Sequence, residues 1–255
     1  FFSLSKRKDT KIREYEHNGV LVNIYPNVLG MPTMFDKDVL VYCISHIKSQ
    51  TNKGFTPSRS VRLIANQFFV TVGRGNGGRN YELFEGSLMR LKGVTVKTTI
   101  RTNGVTSKKG FGLIEDYEIV EKSKIDDRMI AVEITLSEWL FNAIIGDEIL
   151  TLSPDYFGIG KPLKKRIYEL ARKHCGEQPK AELLLSTLHK KSGSSSPLKQ
   201  FRYQIKEIEK ENNLPDYNVM YLEEKDKIVF SPRQDEIKKI TKIPFQGRKP
   251  TLKPQ

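Results

Sequence analysis

The sequence predicts an α+β fold: two tandem winged-helix domains followed by a basic, disordered C-terminal tail. Three observations predict it. Residues 180–212 carry a short helix, a serine–glycine turn and a second helix with two sharply different faces. Two strand-like segments separated by Glu224-Lys225-Asp226 follow at once, so a helix-turn-helix is completed by a hairpin. The same order of helix, helix, turn, helix and hairpin occurs earlier in the chain. The two halves share no visible identity, so the repeat is architectural.

Ala181 to Lys191 is expected to form an amphipathic helix with Leu183, Leu184 and Leu188 apolar. Ser192-Gly-Ser-Ser-Ser196 is a turn composition. Ser196 before Pro197 is a hydroxyl cap followed by a proline at the first helical position. In the helix that follows, Leu198, Phe201, Ile205 and Ile208 recur at helical spacing and make one buried stripe. Lys199, Arg202, Tyr203, Lys206 and Lys210 follow the same rhythm on another face, which suits a helix that enters a major groove. Asn218 to Glu223 and Lys227 to Phe230 are the strands of the wing, with Lys225 at its tip. A cationic helix face is often merely solvated; here turn, cap, stripe and wing agree with one another.

The first domain is assigned to residues 1–150, the second to 151–232 and the tail to 233–255. Phe1 to His17 is an arm or a first strand, and Val20 to Tyr25 is a strand. Asp36 to Gln50 is a helix with Asp36 as its cap and Val39, Leu40, Cys43, Ile44 and Ile47 inward. Thr56 to Val72 is expected to begin as a helix and to end as helix or strand. Gly73 to Gly78 is a turn, and Asn80 to Lys92 is a helix burying Phe84, Leu88 and Leu91. Val94 to Ile100, Phe111 to Val120 and Met129 to Leu136 are strands. Arg101 to Gly110 is a polar loop with an Asn-Gly hairpin signal. Ser137 caps a short helix to Ile145. In Pro162 to Cys175, Leu163, Ile167, Leu170 and Ala171 face inward, while Lys164, Lys165, Arg166, Arg172 and Lys173 are expected outside. The tail holds four prolines with seven basic and two acidic residues over 231–255.

Composition narrows the partners. The 255 residues carry 43 basic against 30 acidic side chains, a formal net charge of +13. That balance favours a polyanion, nucleic acid before membrane. Two distant cysteines, Cys43 and Cys175, can build neither a disulfide framework nor a cysteine zinc site and read as reduced core thiols of a cytosolic protein. No apolar run approaches a membrane span.

The search for chemistry returns little. Gly73-Arg-Gly-Asn-Gly-Gly78 has the glycine spacing of a dinucleotide fingerprint, but the acidic residue expected about 20 positions on is missing from Lys97 to Arg101. The run is better read as a turn before a helix, where Arg74 and Arg79 with the glycines offer an anion a resting place. Gly158-Ile-Gly-Lys161 lacks the Walker spacing. His17, His46, His174 and His189 never form a His-x-His pair, and Asp126-Asp127 and Asp147-Glu148 read as a turn and a helix end. No catalytic residue, cofactor or metal is therefore assigned, and an enzyme is not expected.

Several stretches together resemble the replication initiator protein A family of bacterial plasmids. They are Phe1-Phe-Ser-Leu-Ser5, Val22-Asn-Ile-Tyr25, Gly30-Met-Pro-Thr33, Asp36-Lys-Asp-Val-Leu-Val-Tyr42, Arg62-Leu-Ile-Ala65 and Lys165-Arg-Ile-Tyr-Glu-Leu-Ala171. The resemblance covers roughly residues 1–232. It implies a protein with two winged helices that binds directly repeated sites, or iterons, at a plasmid origin. It further implies opening of adjacent A·T-rich DNA, contact with host replication proteins including the replicative helicase, and dimerisation coupled to repression of the protein's own promoter.

The expected function is thus a plasmid replication initiator holding double-stranded DNA, in the bacterial cytoplasm, with no membrane partner. In the second domain Ser195, Ser196, Lys199, Arg202, Tyr203 and Lys206 face the major groove, Arg202 first for a guanine edge. Lys190, Lys191 and Lys225 hold phosphates. In the first domain Arg79, Asn80, Arg90, Lys97, Lys108 and Lys109 are secondary candidates, for phosphates rather than bases. A winged-helix transcriptional regulator would use the same residues. Direct repeats beside an A·T-rich stretch would favour the initiator, and a single inverted repeat the regulator. An enzyme with a nucleotide pocket at Gly73–Gly78 is the third reading.

Overall fold

Helical and alternating periodicities sort the chain into seven α-helices and ten strands among the residues described by the computed structural model, which are 2–5, 7–17, 20–102, 105–122 and 129–233. The strands form three sheets, all antiparallel. The chain divides into two units, Phe1–Arg166 and Ile167–Gln255; the sequence reading divided it between residues 150 and 151.

In the first unit β1 (Arg13–His17) pairs with β2 (Val20–Tyr25). Helix α1 (Lys37–Asn52) buries Val39, Leu40, Cys43 and Ile47 at helical spacing. Asp36 stands at its N-cap without making a side-chain cap bond; Oδ2 turns back to accept from the Thr33 N–H at 2.7 Å. The expected helix after Thr56 is instead β3 (Ser60–Ile64), followed directly by α2 (Ala65–Thr71). The reason is alternation: Val61 and Leu63 are buried and Arg62 between them is exposed, which is the two-residue period of a half-buried strand. A turn leads to α3 (Gly78–Gly93), which buries Phe84, Leu88 and Leu91 as expected. Phe68 of α2 binds the three helices together, its ring centroid 5.4 Å from that of Tyr42 and 5.0 Å from that of Phe84.

Strands β4 (Thr95–Thr102) and β5 (Val105–Phe111) form a hairpin that extends β1–β2 into a four-stranded sheet. Residues 105–110 were expected in a loop. They pair with β4, Lys108 opposite Thr99 and Lys109 opposite Thr98, and both lysines are exposed, so no apolar alternation marks the strand. Asn103-Gly104 and Asp126-Asp127 lie outside the described residues. Strands β6 (Ile114–Lys122) and β7 (Met129–Leu136) pair, and β7 also takes β3 on its other side. Helix α4 (Glu138–Ile145) starts as expected, the Ser137 hydroxyl accepting from the Leu140 N–H.

Helix α5 (Pro162–His174) follows a 3₁₀ turn at Pro154–Gly158. Lys164 and Lys165, expected outside, are buried. Lys165 Nζ donates to Asp38 Oδ1 at 2.6 Å and lies 4.6 Å from the Tyr156 ring centroid. A buried carboxylate needs a cation, and nothing in the neighbouring residues marks Asp38 as buried.

The second unit continues with β8 (Ala181–Leu184), α6 (Leu185–Ser192), α7 (Leu198–Glu211), β9 (Tyr217–Leu222) and β10 (Lys227–Pro232). The first four residues of the expected 181–191 helix are strand. Leu183 to Leu185 is a short apolar run that fits either period, and pairing decides: Leu183 lies opposite Ile228 of β10. In each unit the strand before the helix-turn-helix pairs with the second strand of a later strand pair, β3 with β7 and β8 with β10; in the first unit the β4–β5 hairpin intervenes. This shared topology is that of a winged helix, and the architecture is α+β with two such units. Of the tail, Arg233 is described, its Nε donating to the Leu214 carbonyl at 3.0 Å; residues 234–255 lie outside the described residues.

Candidate nucleic-acid interface

Helix α7 has the two faces its sequence promised. Phe201, Ile205 and Ile208 are buried, each contributing about 1.5–3 kcal/mol through the water it sheds. On the opposite side Lys199, Gln200 and Tyr203 are exposed, Tyr203 to 64%. The start of the helix departs by one residue from the expected cap. Pro197 holds the N-cap position with no side-chain cap bond, and the Ser196 hydroxyl lies 2.8 Å from that of Ser194. The turn is fixed by other means. Gly193 ends α6 in the left-handed region, at φ 72°, which glycine adopts without steric cost. His189 Nε2 lies 2.9 Å from the Ser196 carbonyl oxygen, and its ring packs on Phe201.

The proposed contacts in this unit fall into two groups. Lys190, Lys199 and Lys225 are exposed and have no ion-pair partner among the described residues. Ser195 is exposed, while Ser196 and Lys191 are half-buried. Arg202 and Lys206 are instead tied to the hairpin. Arg202 donates from Nε and Nη2 to the Asp226 carboxylate and from Nε to the Tyr221 hydroxyl. Lys206 Nζ donates to Glu223 Oε1 at 2.5 Å. Hydrogen bonding from Arg202, then from Tyr221, holds the Asp226 carboxyl below its ordinary range, and the same bond raises the Arg202 guanidinium. Both side chains belong to the helix face that the sequence marked as cationic. Their partners in the wing carry no sequence signal: Asp226 has the type and setting of a turn residue, and nothing local joins it to a helix 24 positions earlier.

The first unit offers less than expected. Arg79 is exposed, but Asn80 turns its Nδ2 back to the Gly75 carbonyl at 2.7 Å and so pins the turn. Arg90 is engaged within the unit rather than held out from it: its guanidinium grips Asp36, whose side chain is 1% exposed. Arg74, read as half of an anion site, also points inward, donating to the Phe35 carbonyl and to Asp38 Oδ2. The outward residues of α3 are mixed: Arg79 and Lys92 stand exposed near its two ends, Lys92 paired with Asp116, and Glu82, Leu83, Glu85 and Met89 are exposed between them. Three further exposed cations of this unit stand on the β4–β5 hairpin. Lys97 and Lys108 share one sheet face and Lys109 takes the other, as the register of Lys97 opposite Gly110 and Lys108 opposite Thr99 requires.

The glycine run Gly73–Gly78 follows helix α2 rather than a strand, so the strand–turn–helix geometry of a dinucleotide site is not formed there. Among the described residues no group of three or more histidine, cysteine, aspartate or glutamate side chains converges as metal ligands would, and no helix is long and apolar enough to cross a membrane.

Known proteins share both the sequence and the fold. A protein of Wigglesworthia glossinidia brevipalpis named "Putative replication protein" is 41% identical over 234 residues, spanning 91% of this chain and 85% of that one. Two crystal structures of domains 2 and 3 of RctB share the fold. One, a selenomethionine derivative, has a TM-score of 0.69 at 13% identity and covers 89% of this chain and 92% of its own. The other has a TM-score of 0.66 at 12% identity, with 92% and 95% covered. The family profile of replication initiator protein A matches residues 1–219. With that match over both helix-turn-helix units and a relative of such identity along most of its length, the chain belongs to the replication initiator protein A family.

Proposed function

We propose that this initiator works by holding duplex DNA at directly repeated origin sites of a plasmid, in the bacterial cytoplasm. It helps to open the adjacent DNA and draws in host replication proteins, the replicative helicase among them, without making or breaking covalent bonds itself. The observation that carries this reading is the outward side of α7. Lys199 and Tyr203 stand exposed on the first turns of a helix whose other side is locked into the core, and Lys190 and Lys225 stand exposed on the turn side and the wing. A recognition helix reads bases from its N-terminal turns while flanking cations hold phosphates. A net charge of +13 supplies the long-range attraction.

A footprint of the full chain on the origin region of its replicon tests the reading. Protection of directly repeated sites beside an A·T-rich stretch, with affinity falling steeply as salt rises, is the expected result. Protection of one inverted repeat at a promoter and nowhere else would replace the initiator by a regulator. No protection at low salt would remove duplex binding altogether.

A further inference from the structure

Arg202 is held from the wing rather than left to swing. Its Nε donates to the Tyr221 hydroxyl at 2.9 Å and to Asp226 Oδ1 at 3.2 Å, and its Nη2 donates to Asp226 Oδ1 and Oδ2 at 3.2 and 3.1 Å. The Tyr221 hydroxyl donates to the same Asp226 Oδ1 at 2.5 Å. Asp226 is itself fixed. It sits in the left-handed region at φ 45°, its N–H donates to the Glu223 carbonyl, and its carbonyl accepts from the N–H of Leu185, the first residue of α6. The carboxylate that grips the arginine is therefore anchored to the same helix-turn-helix that carries it.

A guanidinium has five N–H donors in one plane. Asp226 and Tyr221 lie along the Nε–Nη2 side, and Nη1 has no partner among the described residues. The Nη1–Nη2 edge is the one left for an acceptor pair, and guanine presents such a pair, O6 and N7, in the major groove. A phosphate contact would be poorly served by this arrangement, since the paired carboxylate cancels the charge that attracts a phosphate. A base contact gains from it, because direction matters more there than net charge and a held fork gives up little freedom on binding.

We propose that Asp226 and Tyr221 are positioning residues for base recognition, holding the Arg202 fork so that its outer edge addresses one guanine of the duplex site. The proposal rests on α7 being the helix that enters the groove. It makes the wing a determinant of sequence preference as well as a phosphate contact.

The test uses the full chain and a pool of duplexes of randomised sequence, with bound DNA sequenced after selection. The wild type is expected to select a motif, and Arg202→Ala to flatten one guanine position in it. Asp226→Ala and Tyr221→Phe should flatten that same position about tenfold, leaving the other positions in place. Asp226→Ala should also hold or raise affinity for duplex of unrelated sequence, because an acidic group has gone. A motif that keeps its guanine in both wing variants overturns the proposal, as does equal weakening at all positions, which marks a tie that only stabilises the hairpin. A motif selected by wild type and unchanged in Arg202→Ala also overturns it while sparing the DNA-binding reading. Selection of no motif by wild type overturns both. Tyr221→Phe keeps the ring and the carboxylate, so it decides the matter if Asp226→Ala fails to fold.

Discussion

Arg90 grips Asp36 with two nitrogens, Nε to Oδ2 at 2.7 Å and Nη2 to Oδ1 at 2.8 Å, while the Ser87 hydroxyl donates to Oδ1 at 2.6 Å. Asp36 precedes α1, and both donors belong to α3. The bond therefore clamps the second helix of the turn motif to the start of the first helix of the unit. Arg90→Ala leaves a 1% exposed carboxylate without its cation and should lower the unfolding free energy by about 3 kcal/mol. Denaturant unfolding checks this. A change within about 0.5 kcal/mol, the range of an ordinary surface substitution, would return Arg90 to the surface.

Lys165 and Asp38 make a second such pair, each side chain 2% exposed. Burial pushes the Asp38 carboxyl up, against the pull of Lys165 and, more weakly, Arg74. Lys165→Ala removes the stronger pull and should cost about 3–5 kcal/mol at neutral pH. The sign of the pH dependence follows from the direction of the shift. A carboxyl raised on folding binds its proton more tightly in the folded chain, so stability falls as pH rises above the ordinary value of 3.8. The raise is larger in the variant, so its deficit should be greatest at neutral pH and shrink as the pH falls toward 3.8. Unfolding curves across that interval test it. A deficit that stays flat would assign the loss to the contact of Lys165 with the Tyr156 ring instead.

These two pairs also show where the sequence stops being legible. The stripes of α1, α3 and α7 were readable because Val39, Phe84 and Phe201 announce burial by type and spacing. Arg90 and Lys165 announce the opposite, and only partners 54 and 127 positions away reverse it. Two strands are illegible for a related reason. Residues 181–184 owe their conformation to β10, more than 40 positions later, and β5 has its lysines in solvent, so nothing apolar marks its period. The exposed lysines and Tyr203 of the candidate interface were legible, since exposure needs no partner. The wing carboxylate that holds Arg202 was not, because it depends on a contact made only after folding.

The cysteines should be silent until the chain opens. Burial pushes the Cys43 thiol up to about 12 and also raises Cys175, and both are buried and unpaired. The thiolate is the reactive form. A disulfide reagent added at mildly alkaline pH should therefore titrate neither thiol in the native protein on mixing, and both in denaturant. Fast reaction of one thiol in native buffer would show that its surroundings open readily.

Lys97, Lys108 and Lys109 are exposed cations of the β4–β5 hairpin, and on the proposed function they are candidates for DNA contact by the first unit. They lie on a strand pair rather than on a helix that could enter a groove, so their contribution should be to phosphates and independent of sequence. Changing all three to glutamine should weaken binding on specific and unrelated duplex alike. Each lysine that touches a phosphate should reduce the slope of log affinity against log salt by about 0.9. Thermal stability should move by no more than about 0.5 kcal/mol, because no ion pair among the described residues is lost. Salt titrations of wild type, this triple variant and Lys199→Gln separate the contributions of the two units. A slope unchanged in the triple variant but reduced by Lys199→Gln would confine the DNA path to the second unit and leave the hairpin lysines as solvated charge.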